Sequence, residues 1–363
     1  MAYTNIDDPS AHFQTAVHTS TNAGTITNDG NSDLQPDLIW SKARGSAFNH
    51  ALYDSTRGVT KFLSSNATSA ETTASSGFDL TSFNTDGFST GNNQFNTICG
   101  GTTYVGWQWK ANGGTTTSVS ASGTGSGCVN ACTHQANTTA GFSIITYTGR
   151  DDQLSNGQES KLTHGLGVAP SVFICKRRDG TSNWYYLGGN MVTTNNGWNN
   201  VHLLLNQTAA GDGNSYTSNT EPDSTYIYLG NQLVNTVDSW VGYAFAEKQG
   251  YSKFGKYVGN GNANGSFVYT GFKPEFVIVK RSDGTNNWII TDNARGINGA
   301  NPRLYADLTD AEGSAADYID HLSNGFKIRT SAGSMNTSGG TYIFMAFAEN
   351  PFTTSTGIPT TAR

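Results

Sequence analysis

Cys128 and Cys132, with His134 two residues further on in SGCVNACTH, form the densest grouping of metal-ligating and redox-active residue types in the chain. A structural zinc site takes four such ligands, usually as two close pairs, and no second pair follows. The segment therefore predicts either a local disulfide between Cys128 and Cys132 or free thiols in a surface loop, with no metal. Cys175, inside VFICK, reads as a small buried hydrophobe, and Cys99 as a loop residue. Glycan cleavage would require paired carboxylates. The candidates are Asp151 with Asp152, Glu221 with Asp223, and Asp310 with Glu312, but all fall in loop-like sequence. The seven histidines are scattered, no G-x-S-x-G elbow occurs, and Gly123–Gly127 lacks the Lys-Ser/Thr of a phosphate loop. The expectation is a protein that is not an enzyme, with no catalytic or cofactor-binding residues and no cofactor. Glycan binding is the chemistry left to consider. Trp198 lies between Asn196 and Asn199, while Trp184 and Trp288 each follow an Asp-Gly turn. Aromatic faces beside amides suit sugar C–H faces and hydroxyls, which makes these five residues the candidate glycan contacts. Trp184 and Trp288 also begin a repeating strand, as core residues do; Trp198 does not repeat and is the better exposed candidate.

The elements that would position these residues come in triplicate. Pro36-DLIWSK-Lys42, Pro170-SVFICK-Lys176 and Pro274-EFVIVK-Lys280 each open a unit, closed by TYVGWQWKA, SWVGYAFAE or TYIFMAFAE. From the lysine to the closing aromatic, Trp109, Phe245 or Phe347, the interval is 67, 69 and 67 positions. Asp54-STRG-Gly58 matches Asp292-NARG-Gly296, and the middle copy has drifted. Runs of apolar and β-branched residues joined by short Asp-Gly loops predict hairpins. Helical signals are thin, with short turns expected around 65–72 and 308–320. The predicted fold is all-β: a tandem array of three related β-sandwich modules, jelly-roll or Ig-like, with short helical turns. Module 1 with an N-terminal arm spans 1–111, and a Gly/Ser/Thr-rich flexible linker with the CVNAC loop spans 112–138. Module 2 spans 139–248, module 3 spans 249–350 and a tail spans 351–363. A module of about 100 residues can hold a core of its own.

Composition narrows the function classes. Only 13% of residues are charged and the net charge is -6, while aromatics reach 11%. A nucleic-acid partner requires a cationic footprint, which is missing here. No apolar run reaches the 18 residues of a membrane span, and MAYTNIDDPS has neither half of a signal peptide. The surface chemistry is that of neutral Ser, Thr and Asn.

AYTNIDDPSAHFQTAVHTS, ITNDGNSDLQPDLIWSKAR, LYDSTRGVTKFLSSNATSAET, TAGFSIITYTG, LTHGLGVAPSVFICKRRDG and YIFMAFAENPF together resemble repetitive tail-fibre-like virion proteins of marine bacteriophages. The resemblance covers most of the chain; the middle module and the CVNAC insertion depart from it. It implies a non-enzymatic virion structural protein, a tail-fibre or appendage subunit made in the host cytoplasm. Its expected partners are other virion proteins, further copies in a homo-oligomer, and a host surface glycan or receptor. The alternatives are a capsid-surface decoration or head-fibre protein and, third, a glycan-degrading tail spike.

Overall fold

The computed structural model describes residues 3–360, except 21, 152–153, 156–157, 189–197, 199–200, 214–219, 297, 300–301 and 314–317. Each module is a pair of antiparallel sheets. The larger sheet is built on three strands in the same order: a lead strand, the closing strand, then the lysine strand. The lead strands are Phe13–Ser20, Phe142–Thr148 and Ser252–Val258, and the lysine strands are Leu38–Ala43, Val172–Arg177 and Phe272–Arg281. The closing strands are Thr102–Trp109, Ser239–Phe245 and Thr341–Pro351. Next to each lysine strand lies a partner strand, Ala51–Asp54, Trp184–Gly188 or Ile289–Asp292. A small two- or three-stranded sheet covers the outer face. The all-β, sandwich-like architecture is as the sequence predicts. The only α-helix among the described residues is Gly333–Asn336, and the turn expected after Ser65 is a single hydrogen-bonded one, Ala67 N–H to Ser64 O.

The modules are not beads on a string. Side chains alternate faces along a strand, and here both faces are buried. Trp40, Ile174 and Ile278 point from the three lysine strands into one common core, while Ile39, Phe173 and Val277 point outward into a separate core within each module. The double burial explains the nearly unbroken apolar runs. The closing aromatics meet in the middle: Trp109, Phe245 and Phe347 lie 6.4, 5.5 and 5.7 Å apart, centroid to centroid, around the triangle. Three modules therefore surround one pseudo-threefold axis, with an apolar cavity of about 30 Å³ lined by residues of all three.

The segment 112–138, expected to be a flexible linker, is built into the sheet instead. Cys132–Asn137 pairs along its whole length with the lead strand of module 2, and Thr117–Val119 pairs with Cys132–His134. A Thr-rich stretch has the β-propensity for this once an open strand edge is beside it.

Candidate functional site

Each lysine of the repeated motif is buried and reaches across to the next module. Lys42 Nζ donates to Thr309 O at 3.0 Å, Lys176 Nζ to Thr68 O at 3.1 Å and Lys280 Nζ to Thr208 O at 3.1 Å. Module 1 thus grips module 3, module 3 grips module 2, and module 2 grips module 1. Burial lowers each ammonium to about 8, from an ordinary value near 10.5.

Eight positions after each lysine comes a second crossing. Trp184 Nε1 donates to Ser64 O at 2.8 Å and Trp288 Nε1 to Leu204 O at 2.9 Å. In module 1 the position is His50, whose Nε2 lies 2.8 Å from Tyr305 O. Trp40 Nε1 donates to His50 Nδ1 at 2.9 Å, which leaves the proton on Nε2 to make that bond. The backbone N–H of each of these residues is taken by a side-chain oxygen of its own module: Asn66, Asn206 or Asp307. Asn66-Ala-Thr68, Asn206-Gln-Thr208 and Asp307-Leu-Thr309 are thus one repeated [Asn/Asp]-x-Thr arm. That motif was present in the sequence and its role was missed.

Among the described residues, two of the three seams also carry buried ion networks. Between modules 1 and 2, Arg57 pairs with Asp54 at 2.5 Å and Glu71 at 2.9 Å; Glu71 also holds Arg178, and Tyr243 donates to Asp54. Between modules 1 and 3, Arg295 pairs with Asp292 at 2.6 Å and Glu312 at 3.0 Å; Glu312 also holds Arg44, and Trp107 Nε1 donates to Asp292. Burial would raise the Glu71 and Glu312 carboxyls, but their arginines outweigh it and hold both below the ordinary range. At the third seam the equivalent positions are Gly188, Gly211, Ser282 and Met345. Aspartate, arginine-pairing glutamate and indole or phenol donor have been exchanged there together for small and apolar residues.

Several sequence candidates are corrected by this geometry. Trp184 and Trp288 are fully buried and hold seams together, so they are not glycan platforms. Trp198 is also buried, at 5% exposure, in the outer core of module 2. A Cβ on Gly188, whose φ is +90°, would run into Ser171 O and come within 2.9 Å of the Trp198 ring, so the close approach of this indole requires the glycine. Asn196, Asn199 and Asp152 lie outside the described residues. Cys128 and Cys132 are buried thiols with no disulfide between them; Cys132 Sγ points at Thr163 O, and burial raises the thiol to about 11. Asp223 caps its own turn, accepting from Thr225 N–H, Tyr226 N–H and the Tyr228 hydroxyl. Glu312 is committed to arginines.

The outward faces of the small sheets are where the modules differ. Module 1 shows hydroxyls and amides, with Thr25 and Ser89 hydroxyls 3.1 Å apart and Asn84 donating to Ser89. Module 2 shows Tyr226 and Tyr228, with the Lys161 ammonium 5.5 Å from the Tyr226 ring centre. Module 3 shows Phe267 and Tyr269, 45% and 55% exposed, on either side of the buried Val268. These aromatics had no distinguishing spacing in the sequence.

Over residues 8–351 the sequence matches the family described as Domain of unknown function (DUF7483). The chain belongs to that family. The match runs through all three modules and stops at the end of the last closing strand, so the DUF7483 unit is the whole three-module body. No curated protein and no solved structure matches the chain.

Proposed function

We propose that this DUF7483 protein is a non-enzymatic structural component of a bacteriophage virion, an appendage or tail-fibre subunit that presents loops and outer sheet faces to a host surface. The observation that carries the reading is how the repeated side chains are used. Every lysine, tryptophan and [Asn/Asp]-x-Thr arm that recurs is taken up in locking three modules around one core. What differs between the small outer sheets is the outward face, with half-buried tyrosines on module 2 and exposed aromatics on module 3. A rigid body with varied outer faces suits attachment, and the sequence resemblance supports a virion setting. Contact with a host glycan would then fall to Tyr226, Tyr228, Phe267 and Tyr269, not to the buried tryptophans.

The internal pseudo-threefold axis favours a second reading, a decoration protein seated at a threefold position of a capsid shell, where symmetry matching lets one chain make three similar contacts. Mass spectrometry of purified virions together with immunogold labelling tests both. Label along the tail is the expected result, label over the head would transfer the assignment to the decoration reading, and absence from virions would end both.

A further inference from the structure

The three lead strands occupy equivalent places, and their outer edges are treated in three different ways. In module 2 the edge is filled: Cys132–Asn137 pairs with it antiparallel, with Gln135 opposite Ile144 and Thr133 opposite Thr146. In module 3 it is guarded. Lys253 and Lys256 lie along it, Glu247 holds Lys253 at 2.6 Å and approaches Phe254 N–H, and the Ser266 hydroxyl caps Val258 O. Lysines and caps of this kind are how natural edges avoid pairing. In module 1 no lysine lies along the edge and a carboxylate covers it at one point only. His12 O and Ser20 O bond toward the closing strand, so the odd-numbered residues between them turn their backbone groups outward. Thr15 N–H meets Glu275 Oε1 at 2.7 Å. The outward N–H and C=O of Val17 and Thr19 have no protein partner among the described residues, and Val17 is 41% exposed.

Beside this edge runs a cleft of about 400 Å³, with Gln14, Thr15 and Val17 on the module 1 side and Glu275, Asn293 and Glu349 on the module 3 side. The seam between modules 1 and 2 shows what occupies the equivalent space. Ser55 and Thr56, the counterparts of Asn293 and Ala294, receive Gln135 Nε2 at 2.7 and 2.6 Å. Asp37, the counterpart of Glu275, accepts N–H groups from Ala111, Gly113 and Gly114 as the chain enters that space.

We propose that the outer edge of the Phe13–Ser20 strand, at the seam of modules 1 and 3, is a receptor for an extended, uncharged strand of another protein chain, which joins the sheet as Cys132–Asn137 joins its counterpart. The internal template sets the geometry, and charge sets the chemistry. The cleft is walled by Asp29, Glu275 and Glu349, and the cation beside it, Lys273, is already paired with Glu349 at 2.7 Å. An incoming strand must therefore bring N–H and amide donors and no carboxylates. Glu275 holds the place meanwhile, accepting the Thr15 N–H much as a strand carbonyl would. Strand addition of this kind draws affinity from main-chain hydrogen bonds and specificity from alternate side chains. The inference rests on the equivalence of the modules and stands whether the protein sits on a tail or a capsid.

The test uses the full chain and a labelled, end-blocked peptide of residues 131–138 carrying Cys132→Ser. Fluorescence anisotropy is expected to give saturable one-to-one binding, weakened at least tenfold by Gln135→Glu in the peptide or by Val17→Pro in the protein. Proline is tolerated on an edge, and at Val17 it removes only an outward N–H. Hydrogen exchange on the unmodified chain supplies a readout independent of any variant, with Val17 and Thr19 amides slowed at saturating peptide. Absence of binding at millimolar peptide, or binding that leaves those amides unchanged, would overturn the proposal. So would self-association of the chain abolished by Val17→Pro, since the occupant would then be a second copy.

Discussion

At the scale of single residues, the seams invite a direct comparison, because one position is solved in two chemistries. Asp54 and Asp292 each anchor a fully buried arginine and accept from an aromatic donor of the neighbouring module. Asp54→Ala leaves Arg57 buried with only part of its counter-charge, a change that costs about 3–5 kcal/mol. Met345→Leu, at the apolar seam, keeps the volume and is expected to cost under about 1.5 kcal/mol. Denaturant midpoints measured on both variants check the contrast, and equal losses would remove the buried-ion account. Trp184→Phe isolates the crossing bond to Ser64 O, with an expected loss of about 1–3 kcal/mol from the unsatisfied carbonyl and lost contacts. The recurrence of Trp184 and Trp288 pointed correctly to core positions. Trp198 misled for a physical reason: a residue that does not repeat can still be buried, here in the outer core of its own module against Gly188.

At the scale of elements, the lysine strand joins register, seam and charge in one unit. Its Pro-to-Lys pattern and the interval to the closing aromatic were legible because a strand buried on both faces writes an unbroken apolar run. The arms that receive the lysines were not, since a single turn followed by extended chain has no periodicity to detect. The buried ammoniums also give the strand a pH signature. Folding lowers each lysine to about 8, so between pH 8 and about 10.4 the unfolded chain binds more protons than the folded one. Stability should therefore rise with pH through that window; below about pH 8 both states hold the protons and the lysine contribution is flat. Glu275 acts with the opposite sign and lower down. Burial, with Glu349 and Asp292 adding, raises it to about 8, so its contribution declines from about pH 4.5 to 8 and is then complete. Melting temperatures at pH 8 and 9.5 should differ upward in the parent chain. The rise should shrink by about a third in Lys280→Met, and an undiminished rise would mean the lysines are not its source.

At the scale of the whole molecule, the sequence suggested three modules with one flexible linker between the first two, whereas the structure gives three sandwiches that share one inner core. Periodicity reports which positions are buried, not which module buries them, and that is why the shared core was not legible. All seven histidines, His12, His18, His50, His134, His164, His202 and His321, are held below their ordinary value by burial, His50 to about 3. Below pH 6.5 the unfolded chain therefore takes up protons that the folded chain refuses, and stability should be lost steeply as pH falls toward 4. Acid titration followed by tryptophan fluorescence checks this, and a flat profile between pH 6.5 and 5 would contradict the histidine burial. Cooperativity follows from the same architecture. Because the central aromatics belong to different modules and touch one another, removing one withdraws packing from all three. Phe347→Ala should cost about 3–5 kcal/mol, and calorimetry should show one endotherm displaced as a unit. If module 3 instead melted early while the signals of modules 1 and 2 held their temperature, the modules would be independent folding units, and the pseudo-threefold core would be a contact between finished domains instead of the interior of one.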